Sequence, residues 1–92
     1  MRLSDAQKWA LEDLAHLMIQ YKGAYQGGSY NTQVEKALFS RGLIVKTEAA
    51  TEGGTHRRLV LSQKGFEVAQ DLGYIPSHKV YPEGFDQPQD FR

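Results

Sequence analysis

One continuous run of the chain, residues 31–70, constrains the fold more than any other part of the sequence. It begins with a short amphipathic pattern, in which apolar residues recur at helical spacing, and this pattern ends at Arg41-Gly42. Two apolar stretches follow, residues 43–45 and 57–61, which predict the two strands of a hairpin. Ser62 can then cap a further helix. The run therefore predicts the order helix, strand, strand, helix.

The helices on either side of the hairpin have recognisable ends and buried faces. Ser29 or Asn31 can cap the helix before the hairpin, and Gly42 can adopt the left-handed conformation that ends it. The predicted buried residues of this helix are Val34, Ala37 and Leu38. The helix after the hairpin is predicted to end at Gly73 and to bury Phe66, Ala69 and Leu72.

The two faces of the hairpin follow from the alternation of side chains along a strand. Leu59 and Leu61 share one face and are the expected inward pair. Arg58 lies on the other face and is therefore expected to point to solvent. Residues 47–56, with Gly53-Gly54 among them, predict a connecting loop longer than the tightest two-residue turn.

The first part of the chain predicts one longer helix, from Asp5 to Tyr21. Ser4 and Gln7 have the three-residue spacing of a capping box at its start. Trp9 lies beside the apolar stripe of this helix, which consists of Ala6, Ala10, Leu11, Leu14, Leu17, Met18 and Tyr21. The segment that follows, residues 24–30, is too short and too rich in glycine to form more than one helical turn.

A chain of 92 residues, 40% of them hydrophobic, is expected to form one globular domain. We place that domain at residues 1–73 and an extended tail at residues 74–92. The tail contains all three prolines, which forbid a long helix. It also has an aromatic content that favours packing on the domain or on a second subunit. These aromatic residues are Tyr74, Tyr81, Phe85 and Phe91.

Composition and motifs argue against several functional classes. The chain has no cysteine, and His16, His56 and His78 are not spaced as metal ligands, so neither a disulfide framework nor a metal site is expected. No nucleophile-elbow or phosphate-loop motif is present, so an enzyme is not expected, and no cofactor is implied. The start, MRLSDAQKW, lacks the apolar stretch of a signal peptide, and no apolar run could span a membrane. A cytoplasmic protein is the expectation.

The run of residues 31–70 resembles the recognition helix, wing and closing helix of winged helix-turn-helix regulators, the class that includes the MarR and PadR groups. The resemblance implies an α+β fold, a small winged helix of order α–α–β–β–α with an extended C-terminal tail. It departs from the family at residues 24–30, where the second helix would be truncated. It also departs at the hairpin tip, where the acid-x-Arg signature of MarR wings falls on Gly53, Gly54 and Thr55.

By this resemblance, the protein would be a sequence-specific double-stranded DNA-binding protein, a small transcriptional regulator that forms a dimer. The side chains expected in the major groove are of types that bind base edges and phosphates, namely Asn31, Thr32, Gln33, Lys36 and Ser40. The basic residues expected to touch the DNA backbone are Lys46, Arg57 and Arg58. Without DNA binding, the same pattern describes a solvated helix face and a hairpin whose charges suppress strand pairing.

The charge distribution leaves a second function open. The net charge is zero, which disfavours a nucleic-acid binder, although residues 22–64 hold seven basic side chains against three acidic ones. Glu48 and Glu52 near the hairpin tip would repel phosphates. The alternative is a winged-helix protein-interaction module, for example a small phage or mobile-element protein that binds host machinery.

Overall fold

A computed structural model describes residues 2–20 and 30–90. They form an α+β fold of three helices and an antiparallel hairpin, and the predicted α–α–β–β–α order of these elements is confirmed. A two-residue strand near the end of the tail adds to the sheet. In chain order the elements are α1 (Asp5–Gln20), α2 (Thr32–Ser40), β1 (Ile44–Thr51), β2 (Gly54–Leu61), α3 (Gln63–Asp71) and β3 (Gln89–Asp90).

Helix α1 begins with the predicted capping box. The backbone N–H of Gln7 donates to Ser4 Oγ at 3.2 Å, and that of Ser4 donates to Gln7 Oε1 at 3.3 Å. Ala6 is exposed, because it lies at the margin of the stripe that α1 buries. That stripe consists of Ala10, Leu11, Leu14, Ala15 and Met18. The predicted helix end at Tyr21, and the segment 24–30 apart from Tyr30, lie outside the described residues.

The hairpin is tighter than the sequence predicts. Its antiparallel register runs from Ile44 opposite Leu61 to Thr51 opposite Gly54, so only Glu52 and Gly53 remain in the turn. The expectation of a longer loop was wrong because the outer halves of both strands lack apolar alternation. Gly54 has a φ of +116°, a conformation that favours glycine and allows the tight connection.

Both faces of the hairpin are covered near its base. Alternation places Ile44, Leu59 and Leu61 on one face, together with Lys46, which contacts Phe39 of α2. Val60 and Arg58 lie on the other face, and both are buried as well. The predicted burial of Leu38 and Leu61 is confirmed, since both side chains are fully buried in one core with the apolar stripe of α1.

The tail covers the second face of the hairpin. Ile75 and Phe85 are buried in the common core, and the Tyr81 hydroxyl donates to the carbonyl oxygen of Leu61 at 2.7 Å. The Tyr81 ring stands edge-on to Phe66 and Phe85, with centroids 5.5 and 6.0 Å away. Strand β3 then pairs in parallel with β1, at Ala49 and Ala50. The tail therefore packs on the domain, as predicted.

Two details of the tail and of α3 differ from the prediction. The tail does not run fully extended, because hydrogen bonds from Lys79 to Pro76 and from Phe85 to Pro82 close two turns. Leu72 is exposed, whereas the sequence predicts it in the core. Helix α3 ends at Asp71, and Leu72 is its C-cap. Ile75 is the first residue after α3 whose side chain is buried in the core.

Replacing Tyr81 with phenylalanine should lower the free energy of unfolding by about 1 kcal/mol, because the Leu61 carbonyl loses its donor while the ring contacts remain. Denaturant unfolding measures the loss. Tyr74→Phe is the matched control, since Tyr74 is also half-buried and its hydroxyl has no hydrogen bond within residues 2–20 and 30–90. Equal stability of the Tyr81 variant and wild type would show that this tail contact does not stabilise the fold.

The same variant should change the response to alkaline pH. Burial, with Asp86 adding to the effect, raises the pKa of Tyr81 above its usual value of 10.0. A group whose pKa is higher in the folded state stabilises the fold below its unfolded pKa, and this contribution is lost as pH rises further. Stability should therefore fall above pH 10.0, and Tyr81→Phe should reduce that fall.

Candidate nucleic-acid interface

Helix α2 is fixed at both ends, so its outer face has a defined orientation. Asn31 is its N-cap, and its Oδ1 accepts the backbone N–H of Gln33 at 2.8 Å. Gly42 adopts a φ of +71° just beyond the C-terminus, as the sequence predicts. Leu38 is fully buried and Val34 is half-buried, which anchors the inner face of the helix. The opposite face is left to solvent.

The predicted polar residues of α2 are all exposed on that outer face or at its N-terminal end. Thr32, Gln33 and Lys36 present their side chains to solvent. Asn31 and Ser40 are exposed too, but each makes a hydrogen bond within the helix. Asn31 caps the first turn, and Ser40 Oγ donates to the Lys36 carbonyl at 3.0 Å. Gln33 and Lys36 are therefore the longest side chains that α2 offers to a ligand.

Lys46 joins the hairpin to this surface. Its side chain is exposed on the hairpin face that α2 contacts, and its Nζ lies 5.4 Å from the centre of the Phe39 ring. An ammonium group at this distance is attracted by the negative face of the ring. The contact places the positive charge of Lys46 beside the C-terminal end of α2. An exposed lysine thus stands on β1 next to α2, which itself carries the exposed Lys36.

Charge changes sign toward the tip of the hairpin. Arg57 is exposed and stands directly opposite Glu48 in the register, on the same face as Lys46. Opposite charges at such positions attract one another across the strands. Glu52 is exposed in the turn itself. Along this face, Lys46 therefore lies nearest the base, Arg57 and Glu48 oppose each other farther out, and Glu52 carries the negative charge of the turn.

Arg58 does not point to solvent, so this expectation was wrong. Its side chain is only 2% exposed, and Nη2 donates to the Phe85 carbonyl at 2.6 Å. The guanidinium also lies 4.7 Å from the centre of the Phe85 ring. The strand alternation was assigned correctly, but the tail covers the face to which Arg58 belongs. Arg58 is therefore a structural residue of the hairpin and lies outside the exposed basic surface.

A second surface is a groove of about 550 Å³ between α1 and the start of α2. Trp9 is 78% exposed on its wall. The Tyr30 hydroxyl donates to Asp13 Oδ2 at 2.5 Å, and burial together with this bond raises the pKa of Tyr30. The position of Trp9 beside the apolar stripe is the one sequence signal for this surface. The lining residues are Ala6, Trp9, Ala10, Glu12, Asp13, His16, Tyr30, Asn31 and Val34.

The described part of the chain contains no cluster of three or more His, Cys, Asp or Glu side chains that could hold a metal ion. Within the same residues, no helix is both long and apolar enough to cross a membrane. Comparison with known proteins found no family model, curated protein or solved structure that matches this chain.

Proposed function

We propose that the protein binds double-stranded DNA in a sequence-specific manner, as a small winged-helix transcriptional regulator. Helix α2 is the recognition helix, and the β1–β2 hairpin is the wing. The observation that carries the proposal is that Gln33 and Lys36 are exposed on α2 while Lys46 is exposed on β1, beside Phe39 near the C-terminal end of α2. The order of helix, hairpin and helix supports the same proposal.

The dimensions of α2 suit the major groove. An α-helix with its side chains is about 10–12 Å across and fits a groove about 12 Å wide, and the nine residues of α2 give it a length of roughly 13 Å. Glutamine and lysine are side chains that hydrogen-bond the edges of adenine and guanine, respectively. Gln33 and Lys36 are therefore the residues assigned to reading the sequence. Thr32 and Ser40, with shorter hydroxyl side chains, are assigned to phosphates.

The wing is expected to contact DNA at its base rather than at its tip. Lys46 lies next to α2, and Arg57 is the next exposed cation on the same face. Glu52 in the turn would repel phosphates if the tip approached the duplex. Arg58, which is buried, has no part in this surface. The backbone contacts of the wing are thus assigned to Lys46 and Arg57.

The association constant for a duplex of arbitrary sequence should fall steeply as salt rises. The logarithm of this constant should fall against the logarithm of the salt concentration with a slope of about −0.9 per phosphate contact. Lys46→Ala should weaken binding to all duplexes alike and reduce the salt slope by about the value of one phosphate contact. Lys36→Ala should instead change which sequences are selected from a pool of randomised duplexes. Fluorescence anisotropy and duplex selection provide these measurements.

Lys79→Ala is the charge-matched control, because Lys79 is an exposed lysine of the tail, outside α2 and the hairpin. It should bind DNA as wild type does. The proposal fails if wild type binds no duplex at about 50 mM salt, where electrostatic binding is strong. It also fails if Lys79→Ala weakens binding as much as Lys46→Ala does.

A protein-interaction module is the second candidate, and two observations favour it. The chain has no net charge, and one of the three cations assigned to the wing is buried. Trp9 offers a large apolar surface to solvent on α1. Normal DNA binding by the Lys36 and Lys46 variants, together with loss of a protein partner in Trp9→Ala, would favour this function over the first.

A further inference from the structure

The groove between α1 and α2 combines an exposed aromatic ring with two carboxylates. Trp9, Glu12 and Asp13 are spaced three and four residues apart on α1, so their side chains are neighbours on one side of the helix. All three line the groove, and so do the small side chains of Ala6 and Ala10. A tryptophan that is 78% exposed is a large apolar surface left without cover.

The charge of the groove restricts what can occupy it. Among the described residues, the lining contains two acids and no lysine or arginine, so this part of the groove is negative while the surface around Lys36 and Lys46 is positive. Phosphates of a nucleic acid would be repelled here. The hydrogen bond from Tyr30 holds the Asp13 carboxylate in place through Oδ2. A carboxylate can accept more than one such bond, so Asp13 can still accept from a ligand.

We propose that this groove binds an arginine side chain presented by a segment of a partner protein. The planar guanidinium can stack on the Trp9 ring while its N–H groups donate to the carboxylates of Glu12 and Asp13. The aliphatic part of the arginine can cover Ala6 and Ala10. Lysine fits less well, because its ammonium group neither stacks on a ring nor offers a planar fork of donors. The site is independent of the DNA surface proposed above.

The test uses the fact that Trp9 is the only tryptophan of the chain, so its fluorescence reports on this groove alone. The probe is the capped tripeptide Ala-Arg-Leu amide, titrated into the full chain. We expect a saturable change in emission with a dissociation constant of about 1 to 10 mM, the range of a small fragment. The same peptide with neutral citrulline in place of arginine should bind about ten-fold more weakly or not at all.

Two variants and one control locate the binding site. Glu12→Gln and Asp13→Asn should each raise the dissociation constant of the arginine peptide about ten-fold, the effect expected from loss of one charge-assisted contact. Glu67→Gln removes an exposed acid from α3 and should leave binding unchanged. No saturable change with the arginine peptide would overturn the proposal. Equal binding of the citrulline peptide, or an equal loss in Glu67→Gln, would also overturn it. Circular dichroism establishes that each variant is folded before titration.

Discussion

Alanine in place of Gly65 should destabilise the protein by about 3 kcal/mol or more, although glycine is ordinarily the weaker helix former of the two. Gly65 is buried in the first turn of α3, where the helix meets the start of β1. A Cβ atom at this position would lie 1.9 Å from the Leu43 carbonyl oxygen and 2.9 Å from its carbonyl carbon. Both are backbone atoms, so no side-chain rotation can relieve the clash.

The clash falls on the joint that holds α3 to the hairpin. The Leu43 carbonyl accepts the backbone N–H of Ser62 at 3.0 Å. Ser62 Oγ accepts the N–H of Gly65 at 3.0 Å and donates to the Gly42 carbonyl at 2.5 Å. Moving α3 away from Leu43 would strain or break these bonds together. The cost is therefore expected to exceed the gain of about 1 kcal/mol that alanine gives within a helix.

Chemical and thermal unfolding of Gly65→Ala measures this effect. Glu67→Ala is the control in the same helix, since Glu67 is exposed and its replacement should change stability by about 0.5 kcal/mol or less. A Gly65→Ala variant as stable as wild type would mean that α3 does not rest against Leu43. A more stable variant would mean that helix propensity alone governs this position.

Local patterns in the sequence predicted the elements of this fold. The capping box of Ser4 and Gln7, the N-cap Ser62 and the C-terminal Gly42 depend on residues only a few positions apart, and each forms as predicted. The helical repeat likewise determines which side chains of α2 face solvent, and Gln33 and Lys36 are exposed as expected. Local chemistry was sufficient in these places because the interacting partners are neighbours in the chain.

Contacts between distant segments were not predictable in the same way. The burial of Arg58 depends on Phe85, which is 27 residues away in the tail. The alternation of β2 correctly separates Arg58 from Leu59, but it carries no information on what covers the second face. The groove beside Trp9 likewise arises from the relative placement of α1 and α2, which neither helix specifies alone.

The exposure of the candidate site residues could be predicted where a single element carries them. Thr32, Gln33 and Lys36 come from one helix, so one period determines their common exposure. The wing required a knowledge of the tail, and this is why Arg58, which was expected to touch the DNA backbone, is buried instead. Arg57 and Arg58 are adjacent in the chain but lie on opposite faces of β2. Comparing their alanine variants therefore distinguishes a residue that stabilises the fold from one that is proposed to bind DNA.

Replacing Arg58 with alanine should cost about 2–4 kcal/mol of stability, because it removes the largest fully buried side chain and a charge-assisted hydrogen bond to the Phe85 carbonyl. Arg57→Ala is the matched control, since Arg57 is the adjacent residue but exposed. Arg57→Ala should lower the free energy of unfolding by about 1 kcal/mol or less, which is the contribution expected of the cross-strand pair with Glu48. Denaturant unfolding compares the two variants.

The order of the two effects should reverse when DNA binding is measured on the folded fraction. Arg57→Ala should weaken binding and lower the salt dependence, because a phosphate contact is removed from the proposed wing. Arg58→Ala should bind as wild type does once corrected for unfolded protein, since its guanidinium faces the tail. A greater stability loss for Arg57→Ala than for Arg58→Ala would contradict the assigned faces of β2. Loss of DNA binding in a fully folded Arg58→Ala would contradict the placement of the wing surface on Lys46 and Arg57.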